Sequence, residues 1–450
     1  MIDIHSKVYN FLHEVEAHQG MSLISFTVAS KTATLFDFKK EPYLVHGKQL
    51  VFSVTKSFTS LAIGMIYDQG LIDLDGTITK YFQDEMPENM DPLIHDITVR
   101  HLLTMTSGII HENNKEMLET KDFRTYFLSQ KVTFKPGTHY HYHSVTSHML
   151  SAIFSKITGK TVEDYLKEHL FIPLGITNYH WSNANEGISF GGYGLSIDND
   201  TMVKIGQLLL NGGVYRGRRY ISKTYLDMAT KPQSIKQDYV DNPNAKAIGY
   251  QYGFQFHVSP NGSYRADGAY GQIILIYNDL AFISTAQYTD YEMLFHLIYK
   301  HFTNDLVEAV SLNQFTKYLE TLTFKQAPSV NTVHLNQTFE FESNPLEIQK
   351  IKFSKNYLLM TFRNGQTDQI NYNFEQDAYG KSHYVKDLSL VKQPHWVIPA
   401  YKNSELKLKI LYVETPFFAD YIFNLDNNQL KFTFVPGPNF LVNGFTVVSK

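Results

Sequence analysis

The segment Val51-Phe-Ser-Val-Thr-Lys-Ser-Phe-Thr-Ser-Leu-Ala-Ile-Gly-Met-Ile-Tyr-Asp-Gln-Gly70 limits what this chain can fold into more than any other. After Ser53-Val-Thr, the apolar residues Phe58, Leu61, Ala62, Met65 and Ile66 recur at helical spacing, and Gly70 stands where a C-terminal cap belongs. The spacing predicts a buried helix over 53–69, with a lysine, Lys56, in its first turn. Residues three apart share a helix face, so the Lys56 amine comes within hydrogen-bond reach of the Ser53 oxygen. Burial disfavours the charged amine, and the partial positive charge at a helix start favours negative charge developing on the serine. A hydroxyl beside an amine that accepts its proton is a nucleophile beside its base.

The same spacing recurs at Ser389 to Lys392 and at Ser404 to Lys407, but both copies lie among short alternating segments that read as strands. Context therefore selects Ser53. Two further segments carry polar chemistry next to apolar structure. Lys135-Pro-Gly-Thr-His-Tyr-His-Tyr-His-Ser144 is a polar aromatic loop directly before a helical pattern over 147–158, with Met149, Leu150, Ile153, Phe154 and Ile157 on one face. Tyr264-Arg-Ala-Asp-Gly-Ala-Tyr-Gly-Gln-Ile-Ile-Leu-Ile276 reads as a glycine-marked strand entering an apolar core.

Together these three segments resemble the serine β-lactamase and penicillin-binding protein superfamily, closest to its class C-like, esterase-type branch, whose signature is Ser-x-x-Lys, a second polar triplet and Lys-Thr-Gly. The resemblance extends in order through Gly70-Leu-Ile-Asp-Leu-Asp75, Ile97-Thr-Val-Arg-His-Leu-Leu-Thr-Met-Thr-Ser-Gly108, Pro136-Gly-Thr138, Pro173-Leu-Gly175 and Gly194-Leu-Ser196, and covers roughly residues 1 to 310. It implies that Ser53 is the acylated nucleophile and Lys56 its proton acceptor, with Tyr142, the tyrosine of the second triplet, relaying protons. It also implies an oxyanion hole made by the backbone N–H groups of Ser53 and Ala269, and a substrate-binding role for Ser144, Ala266, Asp267 and Gly268.

Two of the motifs depart from the family pattern. Ser144 stands where asparagine would orient a substrate amide, with His143 in place of the usual serine before it, and a hydroxyl cannot offer a carboxamide's donor and acceptor together. Ala266-Asp267-Gly268 replaces Lys-Thr-Gly, so the cation expected to hold a substrate carboxylate is missing; Arg265 adjoins it, but strand alternation points it to the other face. Gly268 is small enough for a substrate to pass close to the backbone. The expected activity is therefore that of a serine hydrolase forming an acyl-enzyme on a small ester or amide. Two alternatives stay open: a penicillin-binding D-alanyl-D-alanine peptidase or weak β-lactamase using the same serine, and a binding or scaffolding relative that has lost turnover.

Gly187-Ile-Ser-Phe-Gly191 spells the α/β-hydrolase elbow, but polar Ser182-Asn-Ala-Asn-Glu186 precedes it and Gly192-Tyr-Gly194 follows, where that motif needs a strand and a helix. Ser189 is set aside. His139, His141 and His143 alternate, with His148 nearby, yet no carboxylate or second histidine cluster at ligand spacing accompanies them; polar-loop or solvent-facing imidazoles are expected, and no metal. The proposed chemistry calls for no cofactor.

With 40 Lys plus Arg against 44 Asp plus Glu, nothing points to a nucleic-acid or anionic-membrane partner. A small-molecule acyl substrate is the expected partner, and the oligomeric state is left open. The absence of cysteine excludes disulfides and cysteine ligation. Residues 1–16 carry acidic residues throughout and read as an amphipathic helix, with no signal peptide and no bilayer-length apolar run anywhere. A cytoplasmic location follows, or an extracytoplasmic one if the true start lies upstream.

Helical segments at 53–69, 98–106, 147–158, 161–170 and 200–211 alternate with strand-like stretches at 22–35 and 249–284. The expected fold class is α+β: a β-lactamase/transpeptidase-like antiparallel sheet flanked by helices, with an all-helical subdomain carrying Tyr142, over residues 1–320. Past the polar stretch Lys325-Gln-Ala-Pro-Ser-Val330, short alternating runs (337–341, 348–353, 357–363, 368–374, 406–413, 421–425, 430–435) predict a small antiparallel, barrel-like β domain over 321–450. Asn364-Gly365 and Asp426-Asn-Asn428 read as its hairpin turns.

Overall fold

The computed structural model describes residues 4–43, 47–111, 120, 122–240, 248–303, 308–325, 336–386, 389–426, 429–438 and 443–450. They form two units, one of Met1–Phe38 with Leu50–Phe315, the other of Lys39–Gln49 with Thr316–Lys450.

The first unit is built on an eight-stranded sheet of β1 (Ser22–Ala29), β2 (Thr34–Lys39), β3 (Ser234–Ile235), β4 (Gln251–Tyr252), β5 (His257–Val258), β6 (Tyr264–Gly268), β7 (Gln272–Tyr277) and β8 (Leu280–Tyr288), in the order β2-β1-β8-β7-β6-β5-β4-β3. The pairings from β1 through β8 to β3 are antiparallel. The central strands β1 and β8 are buried along nearly their whole length, as continuous apolar runs are when both faces are covered. Alternation on β8 shows how. Phe282 meets Phe302 of helix α5 (Tyr291–Thr303), beside Phe11 of α1 (Ile4–Ala17) and Phe26 of β1. Its neighbours Ala281 and Ile283 point the other way, where Gly206 of α4 (Asn199–Leu210) comes so close that an added Cβ would lie 2.9 Å from Ala281.

Between β2 and β3 the chain is mainly helical. Helix α2 (Val54–Asp68) is buried at every position from Val54 to Ile66, the fate of a helix apolar around most of its circumference. Helix α3 (Ser144–Thr158) packs beside it and ends on Gly159 in the left-handed conformation, which costs glycine nothing. Gln255, itself buried, ties both helices together: its carbonyl accepts from Ser57 of α2 at 2.7 Å and its side chain from Ser147 of α3 at 2.6 Å. The expected helices at 98–106, 161–170 and 200–211 are present as Val99–Leu103, Val162–Leu166 continuing into a π turn to Phe171, and α4.

The second unit is all antiparallel sheet among its described residues, apart from the end of a short helix (Leu312–Thr321). Strands β9 (Thr338–Glu340), β10 (Ile348–Ser354), β11 (Tyr357–Phe362) and β12 (Thr367–Asn371) form one meander. Strands β13 (Ala378–Lys386), β14 (Ser389–Lys402), β15 (Glu405–Tyr412), β16 (Phe418–Asp426), β17 (Gln429–Pro436) and β18 (Phe445–Val448) form a second, six-stranded one. The Asn364-Gly365 turn joins β11 to β12 with Gly365 at φ 83°; Asn427, Asn428 and residues 326–330 lie outside the described residues. The longest strand, β14, was not signalled by alternation because Pro394 and Pro399 interrupt it, and proline is rare inside sheets. Segment Lys39–Gln49 joins this unit through Gln49, whose amide donates to the Val413 carbonyl at 2.6 Å, and through Lys48 paired with Glu414. Among the described residues no helix is long and apolar enough to cross a membrane.

Candidate active site

Ser53 caps the N-terminal end of α2, half-buried, on a backbone turn that holds Phe52 in the left-handed region at φ 47°. A phenylalanine in that region costs about 1–3 kcal/mol, so the surrounding structure has to impose it. It does so from both sides: the Val51 N–H donates to Leu195 at 2.9 Å, and the Thr55 N–H to Phe52 at 3.0 Å.

Lys56 follows one turn on and is 1% exposed. Its Nζ lies 3.0 Å from Ser53 Oγ, 3.2 Å from Ser144 Oγ and 2.8 Å from the Gly192 carbonyl. The carbonyl is an acceptor only and takes an N–H, whereas both hydroxyls are able to donate. An uncharged amine is thus accommodated with its lone pair toward a serine, and an ammonium with all its donors used. The ring of Tyr142 lies 4.7 Å from Nζ and packs against Tyr252 and His257. Gly192 reaches the lysine because the Gly191-Gly192 pair runs against α3: a Cβ on Gly191 would sit 2.3 Å from the Ser147 carbonyl, and one on Gly192 2.8 Å from that of Ser144. This glycine pair is the one sequence signal for a Lys56 partner that motif reading passed over.

The opposite wall comes from the end of β6. Ala269 follows Gly268, and the next residue, Tyr270, is again left-handed at φ 67°. The rings of Phe52 and Tyr270 meet edge to face at 5.3 Å, so the two strained residues that flank Ser53 and Ala269 brace each other. Tyr291, at the start of α5, pins the same turn: its hydroxyl donates to the Gly268 carbonyl at 2.7 Å and accepts from the Gly271 N–H at 3.0 Å.

Ser53 and Ala269 line one pocket of about 440 Å³, together with Tyr140, Tyr142, Lys236, Tyr239, Ile248, His257, Arg265, Asp267 and Tyr291. Of the sequence-derived site residues, Ser53, Tyr142, Asp267 and Ala269 line it, while buried Lys56 contacts Ser53 and Ser144 without being part of the lining. Ala266 is 1% exposed and does not line it, since on β6 it faces away from Arg265 and Asp267. A Cβ on Gly268 would lie 2.1 Å from the Val51 carbonyl, so its smallness admits protein backbone.

Arg265 was placed away from the site, but the same alternation that removes Ala266 puts residues 265 and 267 on the pocket face, where Arg265 Nε meets Asp267 at 2.9 Å. Lys236 and His257 join them from β-segments too short to show any period, Nζ lying 2.8 Å from His257 Nδ1. Nor do the alternating histidines all face solvent. His143 is fully buried and caps α3, its Nδ1 facing the Thr146 N–H at 3.3 Å, and burial pulls its pKa down to about 4. His139 stacks on Phe134. Among the described residues no group of three or more His, Asp or Glu side chains is placed to hold a metal ion. Ser189 is buried, its Oγ taken by the Glu163 N–H.

Similar proteins agree with this architecture. Lovastatin esterase of Penicillium rubens is 28% identical over 183 residues, a match covering 34% of this chain and 44% of that protein's length. The octameric penicillin-binding protein homologue from Pyrococcus abyssi, at 15% identity and a TM-score of 0.52, matches 98% of this chain and 99% of its own. A family VIII carboxylesterase, at 18% identity and a TM-score of 0.53, matches 66% of this chain and 97% of its own. Residues 42–318, more than half of the chain, match the family model described as Beta-lactamase, and with the α+β fold and the Ser53 pocket in place the protein belongs to the Beta-lactamase family.

Proposed function

We propose that the protein is a serine hydrolase that takes the acyl group of a small ester or amide onto Ser53 and releases it to water. The observation that carries this reading is the 3.0 Å approach of Lys56 Nζ to Ser53 Oγ at the floor of a pocket. In the first half-reaction Lys56 accepts the Ser53 proton while Oγ bonds to the substrate carbonyl carbon, and the oxyanion is held by the N–H groups of Ser53 and Ala269. Collapse of that intermediate expels the alcohol or amine, which takes a proton back through Lys56 and Tyr142. Water then repeats the sequence on the acyl-serine, releasing the acid and restoring the hydroxyl. The esterase among the relatives supports ester chemistry for the pocket.

Intact-mass measurement after exposure to a fluorophosphonate, a penicillin and a panel of p-nitrophenyl esters tests the proposal. One stoichiometric adduct, mapped by peptide sequencing to Ser53, is expected from the fluorophosphonate; an adduct on any other residue, or none, rejects it. A second expectation concerns Tyr291. Losing the hydroxyl that pins the Gly268–Gly271 turn (Tyr291→Phe) leaves backbone groups short of about 1–3 kcal/mol of bonding at the oxyanion wall. Ester turnover should fall roughly tenfold in kcat with KM nearly constant, as measured by steady-state kinetics; a change confined to KM would assign Tyr291 to substrate binding instead.

A further inference from the structure

The wall of the pocket away from Lys56 is electrostatically lopsided. Lys236 and Arg265 both line it and are 5% and 0% exposed, but among the described lining residues the only carboxylate is Asp267. Asp267 is engaged with Arg265 Nε at 2.9 Å. Lys236 is left with neutral acceptors, His257 Nδ1 at 2.8 Å and the Gly249 carbonyl at 3.1 Å. Arg265 spends a second nitrogen on the Ile248 carbonyl at 2.6 Å and stacks on Phe295, while its remaining terminal nitrogen is buried with no hydrogen-bond partner among the described residues. Buried cations are ordinarily paired, and a buried donor left unmade is costly. The rest of the lining, Tyr140, Tyr142, Tyr239, Ile248, Ala269 and Tyr291, is aromatic or apolar.

We propose that this wall is an anion subsite, in which Lys236 and Arg265 hold a carboxylate carried by the substrate itself while its ester or amide carbonyl lies at Ser53. The substrate class is then a small acyl compound bearing one free carboxylate, such as a monoester or monoamide of a dicarboxylic acid. A cation missing from the third motif at Ala266 is supplied by neighbouring strands.

The wall also sets a pH dependence. Burial, reinforced by Arg265, pulls the Lys236 ammonium down to about 7, with Asp267 opposing. Burial and the cations Lys236, Arg265 and Lys56 hold His257 far below its ordinary value, so it faces Lys236 as a neutral acceptor. Among the described residues Tyr239 also faces it, with its ring 5.6 Å from Nζ. Lys236 therefore carries its charge below about pH 7 and loses it above, and affinity for an anionic substrate should decline as pH rises through that point.

The proposal rests on Ser53 chemistry for its kinetic readout, and a binding measurement frees it from that dependence. The ratio of kcat/KM for p-nitrophenyl hemiglutarate or 4-carboxyphenyl butyrate to that for neutral p-nitrophenyl pentanoate is expected to fall at least tenfold in Lys236→Met. For wild type, the ratio should drop between pH 6 and pH 8.5. The milder Lys236→Gln, checked for fold by circular dichroism, should behave the same way. Unchanged ratios for both anionic esters in both variants overturn the anion subsite and leave the hydrolase reading standing. If no ester shows Ser53-dependent turnover, calorimetry of glutarate on the Ser53→Ala protein decides instead: binding weakened at least tenfold by adding Lys236→Gln supports the subsite, and equal or absent binding in the two proteins rejects it.

Discussion

Replacing Lys56 by methionine is expected to lower acylation of Ser53 by roughly 10²- to 10⁴-fold, the range over which a positioned general base contributes. The side chain is unbranched like lysine and fits a site that is 1% exposed, so packing is largely kept. The Gly192 carbonyl, 2.8 Å from Nζ, loses its donor at a cost of about 1–3 kcal/mol, offset in part because no amine is then buried. Activity should thus fall far more than stability. Lys56→Arg separates two explanations, since a guanidinium keeps a positive charge but cannot accept a proton. Both variants should be comparably inactive in single-turnover measurements with p-nitrophenyl esters, with urea midpoints close to that of wild type. Retained activity in Lys56→Arg would show that the residue acts through its charge, and the proton-acceptor role would fall.

How far the site could be read from the sequence depended on whether a residue sat in a long periodic element. Ser53 and Lys56 lie at the start of a helix whose apolar period runs from Phe58 to Ile66, and their 3.0 Å contact is what a three-residue helical spacing delivers. Tyr142 and Ser144 were singled out by resemblance to the family's second triplet, which stands where a second periodic helix begins. The cationic wall escaped because β3, β4 and β5 are two residues long, too short for any alternation to register around Lys236 or His257. Arg265 was misjudged for another reason. Alternation assigns faces relative to one another but does not say which face meets the pocket, and aligning Ala266 with the family's cation took the wrong face as the active one. In the second unit, strands with clean alternation such as β15 were legible, whereas proline-interrupted β14 and the long-range recruitment of Lys39–Gln49 had no local signature.

Gly268→Ala is expected to lower kcat by about 10²- to 10³-fold, the loss associated with one misplaced oxyanion donor. Gly268 is extended, at φ −125° and ψ 149°, so alanine meets no backbone penalty there; the obstacle is steric. Its Cβ would lie 2.1 Å from the Val51 carbonyl oxygen and 3.2 Å from Val54 Cγ2, and neither side yields easily. Val51 is bonded through its N–H to Leu195 and through its carbonyl to Val54 at the start of α2, and Gly268 is held by Tyr291 and by its pairing with Gln272. Relief requires the segment carrying Ser53 and the strand end carrying Ala269 to part by about 1 Å, which moves their two N–H groups off a shared oxyanion position. The strain should also cost about 1–3 kcal/mol of stability, the usual range for overpacking. Gly70→Ala is the control: Gly70 is left-handed at φ 69° with nothing within 4 Å of an added Cβ, so it bears backbone strain of about 1 kcal/mol far from any steric conflict. Urea unfolding should show both variants destabilised, while ester kinetics should show only Gly268→Ala impaired. Equal kinetics in the two would mean that the close approach of β6 to Val51 serves the fold alone, and that the N–H groups of Ser53 and Ala269 do not act as a pair.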